Sequence, residues 1–160
     1  MRHTISVLVE NKFGVLARIS TLFAARGFNI DSLAVGETED PAISRMTIGV
    51  KGDDATLEQV TKQLNKLVDV IKVNDFSGIR FVERGLALLK VSVNKTNRAE
   101  VIQTVQVFRA KIIDVSQDSL VVEITGDESK IEAFVNMMMP YGIKEMCRTG
   151  AVALSRGASR

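Results

Sequence analysis

Few residues in the chain have both the type and the setting to do chemistry. Gly14 is one, in the run Asn11-Lys12-Phe13-Gly14-Val15-Leu16, where an alternating apolar pattern gives way to a helical stripe. A helix start presents unpaired backbone N–H groups and the positive end of the helix dipole, which together favour an anion. A glycine there lets a ligand come close to the main chain. The carboxylate of an amino acid is a fitting occupant. Asn29 is the second, in Gly27-Phe28-Asn29-Ile30. Its amide carbonyl can accept a hydrogen bond from an ammonium group. Each has a plainer reading: Gly14 makes a tight turn with Asn11 as its cap, and Gly27 closes a helix with Asn29 in a local turn. Local sequence leaves both readings open.

The remaining candidates point away from catalysis. The chain has one histidine, His3, with no evident Ser or Cys partner to activate, and one cysteine, Cys147, far from it. Neither zinc-ligand spacing nor an internal disulfide is available. Arg148 beside Cys147 could lower a thiol pKa, but the predicted strand around it offers no base. Met137-Met138-Met139 reads as helix packing, Asp53-Asp54 as a helix cap, and Arg18, Arg26 and Arg45 as surface charges. Gly-x-Ser-x-Gly, P-loop and Gly-x-Gly-x-x-Gly motifs are missing from the sequence. We therefore expect no catalytic residue and no metal ligand, although Asp, Glu and Lys can also do acid–base work.

Composition narrows the class further. The 160 residues are 46% hydrophobic and 25% charged, with a net charge of +2 from 21 basic and 19 acidic residues. The signs are interspersed, so the basic face of a nucleic-acid binder is not expected. No apolar run approaches the roughly 20 residues that span a bilayer. Met1-Arg2-His3-Thr4 leads straight into a strand pattern without a signal-peptide core. The single cysteine fits a reducing, cytoplasmic setting.

The elements that must position Gly14 and Asn29 form two similar halves. Ile5, Val7 and Val9 alternate as a strand. Val15, Leu16, Ile19, Leu22 and Phe23 form a helical stripe stopped by Gly27. Strands follow at 30–35 and around Met46, Ile48 and Val50. Asp53 or Asp54 can cap a helix carrying Leu57, Val60, Leu64, Leu67 and Val68, and Val70, Ile71 and Val73 make a fourth strand. The second half repeats this. Leu89, Val91 and Val93 alternate, and Asn97 with Glu100 reads as a capping box. Strands are expected at 112–115 and 120–124. Asp127 can cap a helix that Pro140-Tyr141-Gly142 ends, and 143–154 is mostly strand.

The predicted class is α+β: two ferredoxin-like βαββαβ domains, each an antiparallel sheet with its helices on one face. The expected domains are 1–76 and 86–160, joined by a linker at 77–85. The spatial strand order is then 4-1-3-2, with the second strand at an edge and the other sheet face in need of a cover. Halves this small bury little surface alone, which favours dimerisation.

Three runs carry a family resemblance: Gly14-Val15-Leu16-Ala17-Arg18, Phe23-Ala24-Ala25-Arg26-Gly27-Phe28-Asn29-Ile30-Asp31-Ser32-Leu33 and Ser44-Arg45-Met46-Thr47-Ile48. They resemble the N-terminal ACT domain of acetohydroxyacid (acetolactate) synthase small subunits. The likeness continues through Gln63-Leu64-Asn65-Lys66-Leu67-Val68-Asp69-Val70 and Phe108-Arg109-Ala110-Lys111-Ile112-Ile113-Asp114-Val115. It ends with Arg148-Thr149-Gly150-Ala151-Val152-Ala153-Leu154-Ser155-Arg156-Gly157.

The resemblance implies a non-catalytic regulatory subunit. Its partner would be a large catalytic subunit holding thiamine diphosphate, Mg and FAD, in the pathway to valine, leucine and isoleucine. This chain would hold no cofactor. It would raise the partner's activity and confer feedback inhibition by valine or another branched-chain amino acid. The effector would bind between two ACT domains of a homodimer. By family position, Asn11, Gly14, Val15 and Leu16 would face one side of the ligand, and Asn29 and Ile30 of a second copy the other. Lys12-Phe13 departs from the small or polar residues usual in the family before the glycine, which bears on pocket shape. A free-standing ACT sensor acting on another enzyme or on transcription is the alternative.

Overall fold

In the computed structural model, which describes residues 1–157, the chain forms two compact units. Of the described residues, the first comprises 1–82 and 150–157 and the second 83–149. The last three residues, inside the expected second domain, lie outside the described residues.

The first unit contains β1 (Arg2–Glu10), α1 (Val15–Ala25), β2 (Ile30–Glu37), β3 (Ile43–Lys51), α2 (Asp54–Asn65) and β4 (Val70–Asp75). Its sheet order is β2-β3-β1-β4, with antiparallel neighbours, so β2 is an edge strand as expected. Ile5, Val7 and Val9 of β1 and Met46, Ile48 and Val50 of β3 point to one face. They pack there with Val15, Ile19 and Phe23 of α1 and Leu57, Val60 and Leu64 of α2. Two helix ends follow the local chemistry. Gly27 adopts φ 71°, and the N–H groups of Phe28 and Gly27 donate to the carbonyls of Phe23 and Ala24, a Schellman closure. Asp53 caps α2 by accepting the Thr56 N–H at 2.8 Å.

The second unit has β5 (Phe81–Ser92), α3 (Arg98–Val107), β6 (Lys111–Val115), β7 (Ser119–Gly126), α4 (Glu128–Met138) and β8 (Ile143–Arg148). Its order, β6-β7-β5-β8, repeats that of the first. Phe134 and Phe108 meet edge to face at 5.3 Å in its core. The capping box at Asn97 does not form: the Asn97 side-chain Oδ1 accepts the Asn94 N–H instead, and Asn94 Oδ1 accepts from the N–H groups of Thr96 and Asn97. The local Asx turn outcompetes the cap.

Of the expected linker 77–85 only 77–80 is a turn, and β5 begins at Phe81, whose ring stacks on Phe76 at 5.0 Å. The stretch after Ile143 is not one strand. It breaks at 149–151, and β9 (Val152–Ser155) packs against β1 of the first unit. There the tail covers the sheet face opposite the helices. Thr4, Ser6 and Thr47 are buried on that face, Ala153 is buried against it, and the Ala151 N–H donates to Ser32 Oγ at 3.1 Å. Gly150 lies against the backbone of Leu33, where a Cβ would overlap its carbonyl. Arg156 N–H donates to the Arg80 carbonyl at 2.9 Å. The cover that this face needs is thus supplied by the chain's own end.

Candidate functional site

The turn between β1 and α1 is held on both sides by main-chain bonds. Glu10 N–H donates to the Asp69 carbonyl at 2.9 Å, and Asn11 N–H to the Ala42 carbonyl at 2.7 Å. Gly14 then adopts φ 84°, the left-handed region, and this is a conformation that favours glycine. The first intrahelical bond runs from Arg18 N–H to the Gly14 carbonyl at 3.0 Å. The N–H groups of Leu16 and Ala17 precede it and have no carbonyl a turn below them. No acidic side chain stands in this first turn. The helix start therefore presents donors and a positive dipole end with no negative side chain of its own helix on them.

Around this point the charges are paired. Arg18 forms an ion pair with the mostly buried Asp69, fixing the first turn to the segment before β4. Lys12 bonds Glu10 at 2.7 Å, and that hydrogen bond and the charge of Glu10 raise the Lys12 pKa above its ordinary value. Phe13 is fully exposed and Leu16 is 42% exposed, so the turn carries an apolar lip.

Asn11 does not cap α1. Its amide nitrogen donates outward, to Glu37 Oε1 at 3.1 Å and the Pro41 carbonyl at 2.8 Å. That leaves the amide oxygen as a free acceptor on the exposed side. Val15 points the other way: it is 3% exposed and belongs to the core. Its side chain is unavailable to a ligand, and only its N–H faces the turn.

Asn29 and Ile30 stand at the far end of α1. Asn29 is exposed, and its amide nitrogen donates to Asp31 Oδ1 at 3.1 Å, again leaving the amide oxygen uncommitted. Ile30 is half-buried against the core and opens β2. With 11 residues in α1 and 1.5 Å per residue, the two groups lie about 16 Å apart along the helix. One chain brings Asn11, Gly14 and Leu16 together but does not bring Asn29 and Ile30 to them.

Two other groups differ from the sequence reading. His3 does have a serine beside it: Nδ1 is 3.2 Å from Ser77 Oγ, and Nε2 is 3.1 Å from the Gly52 carbonyl. Against a carbonyl, Nε2 must carry a proton, and in the neutral ring Nδ1 then accepts from the hydroxyl. His3 is 5% exposed, and both nitrogens are spent tying β1 to two turns. Arg45 is no plain surface charge: it is half-buried and donates to the fully buried Ser6 Oγ at 2.7 Å. Among the described residues, no group of three His, Cys, Asp or Glu side chains could hold a metal, and no helix is long and apolar enough to cross a membrane.

Known proteins share both units. The family model described as "Small subunit of acetolactate synthase" matches residues 84–157, and that described as "AHAS small subunit-like ACT domain" matches residues 5–72. A probable acetolactate synthase small subunit of Archaeoglobus fulgidus is 55% identical over 157 residues, 98% of each chain. The acetolactate synthase small subunit of Mycolicibacterium smegmatis is 54% identical, over 97% of this chain and 91% of the other. The crystal structure of the small subunit from Thermotoga maritima superposes with a TM-score of 0.91 at 47% identity, covering 99% of both chains.

Proposed function

The chain belongs to the acetolactate synthase small-subunit family, and from this we propose that it activates a catalytic large subunit and makes it sensitive to valine. Thiamine diphosphate, Mg and FAD belong to that large subunit in this reading, and the chemistry takes place there. The chain's own contribution is to bind an amino acid and change how it holds its partner.

The observation that carries the reading is the split site. Donors at Leu16 and Ala17 and the acceptor of Asn11 sit at one end of α1, and the acceptor of Asn29 sits at the other, both in the open. A two-fold pairing of β2 edges, with two chains running antiparallel, is the arrangement that would set one end against the other. Backbone N–H groups at Leu16 and Ala17 then take the valine carboxylate. Asn11 Oδ1 and the second copy's Asn29 Oδ1 take the ammonium. Leu16 and Ile30 enclose the isopropyl group. Because the ligand is shared by two copies, it favours the dimer geometry in which the halves are closest. Two or three hydrogen bonds of about 0.5–1.5 kcal/mol each supply the roughly 1–3 kcal/mol of a typical allosteric coupling.

Reconstitution with the large subunit of the same organism tests this directly. Activity should rise when the chain is added and fall again with valine, less so with leucine or isoleucine. A pocket separates such side chains by only about 1–3 kcal/mol per methylene. An activity indifferent to the chain would overturn the reading.

A further inference from the structure

We propose that the cavity between the open sheet face of the first unit and its tail binds a small carboxylate that carries no ammonium group. The cavity has a volume of about 260 Å³ and is lined by Arg45, Lys72, Asn74, Phe76, Leu154 and Ser155, among others. Strand register explains how two cations come to share it. Arg45 of β3 lies opposite Leu8 of β1, and Leu8 lies opposite Lys72 of β4, so the cations flank one apolar residue on one face. Asn74 stands one step along that face, opposite Ser6. Leu154 and Ser155 of β9 come from the tail that covers it.

The charges are unbalanced. Arg45 is half-buried and spends one N–H on Ser6, and among the described residues no carboxylate pairs with Arg45 or Lys72. A guanidinium has five donors, and a partly buried cation without a counter-charge is costly. An anion in the cavity supplies that counter-charge to Arg45, with the exposed Lys72 at the same lining. The one acidic residue at the lining, Asp75, is opposite Ile5 on the helix side of β4, and its carboxylate accepts the Ser77 N–H at 2.8 Å. The two cations thus outnumber the one carboxylate at the lining and disfavour an ammonium group, which separates this cavity from the split amino-acid site. Phe76, Ile79 and Leu154 give it apolar walls, suited to the body of a short aliphatic acid rather than to a phosphate with polar oxygens all round.

Isobutyrate is the probe. Titrated into the full-length chain and followed by calorimetry and NMR shifts, it should bind saturably, with inorganic phosphate weaker. Lys72→Ala and Arg45→Gln should each weaken it roughly tenfold or more, the loss of one charge-assisted bond. Arg45→Gln also removes the bond to Ser6, so Lys72→Ala, at an exposed position, is decisive. Gly14→Asp should leave isobutyrate binding unchanged. No saturable binding, equal binding by Lys72→Ala, or phosphate binding more tightly than isobutyrate would each overturn the proposal.

Discussion

Replacing Gly14 by aspartate sets two effects against each other at one residue. Gly14 sits at φ 84°, and a side chain in the left-handed region costs roughly 1–2 kcal/mol, least for Asp and Asn. A Cβ there would meet only Arg18 Nη1, at 3.7 Å, an ordinary contact. A negative charge at a helix start returns about 0.3–1 kcal/mol, and Arg18 can turn part of its charge from Asp69 toward it. The fold should survive with a loss of about 1 kcal/mol or less. Ligand binding has no such compensation. Two carboxylates about 4 Å apart repel by about 4 kcal/mol at an effective dielectric of 20. That is close to a thousandfold in affinity. Salt screening and rotation of the new side chain toward Arg18 reduce this, to no less than roughly tenfold. Calorimetry of valine binding, with thermal unfolding on the same sample, reads both effects. Gly14→Asn carries the same backbone strain without the charge, and should lose far less affinity. A folded Gly14→Asp variant that binds valine within about threefold of the parent would refute the placement of the carboxylate at this helix start.

Three further changes probe other parts of the structure. Asn29→Ala removes an exposed amide bonded only to Asp31, so melting should shift little while valine affinity falls roughly tenfold, the worth of one bond to a charged group; unchanged affinity removes Asn29 from the site. Gly150→Ala drives a methyl group into the Leu33 carbonyl, so the tail must lift, and hydrogen exchange at Ala151 and along β9 should accelerate; parent-like protection would show that the contact is not needed. Asp53→Ala deletes the bonds from Thr56 N–H and Oγ, both 2.8 Å, and should lower the urea midpoint at neutral pH. Those bonds hold the Asp53 carboxyl below its usual 3.8, so the contribution is present above that pH and disappears as the pH falls through the lower, folded value. The variant's stability should therefore be less acid-dependent below about pH 4, and identical acid profiles would contradict the cap.

What was legible in the sequence is what neighbouring residues decide among themselves. Alternation at Ile5, Val7 and Val9 and the stripe at Val15, Ile19 and Phe23 mark faces directly, and those faces form the core. Asp53 and Asp127 cap because each helix offers its third N–H to a side chain already there. Asn97 fails at the same task because Asn94, three residues before it, competes for the local bonds. Periodicity marks a face as polar but carries no information on what lies over it. The predicted topology leaves this sheet face in need of a cover without saying what the cover is, and Ser6 and Thr47 are buried there beneath a tail more than 100 residues away in sequence. The break at 149–151 that frees this tail falls inside 143–154, which the sequence pattern gives as mostly strand. The same limit governs the candidate site. Exposed Asn11 and Asn29 and the left-handed Gly14 are local properties. Val15, drawn into the core by the helical stripe itself, could have been excluded from the ligand's side-chain contacts by that stripe alone. In the proposed dimer, what closes over Asn29 is non-local too, since it would come from a second copy meeting the β2 edge.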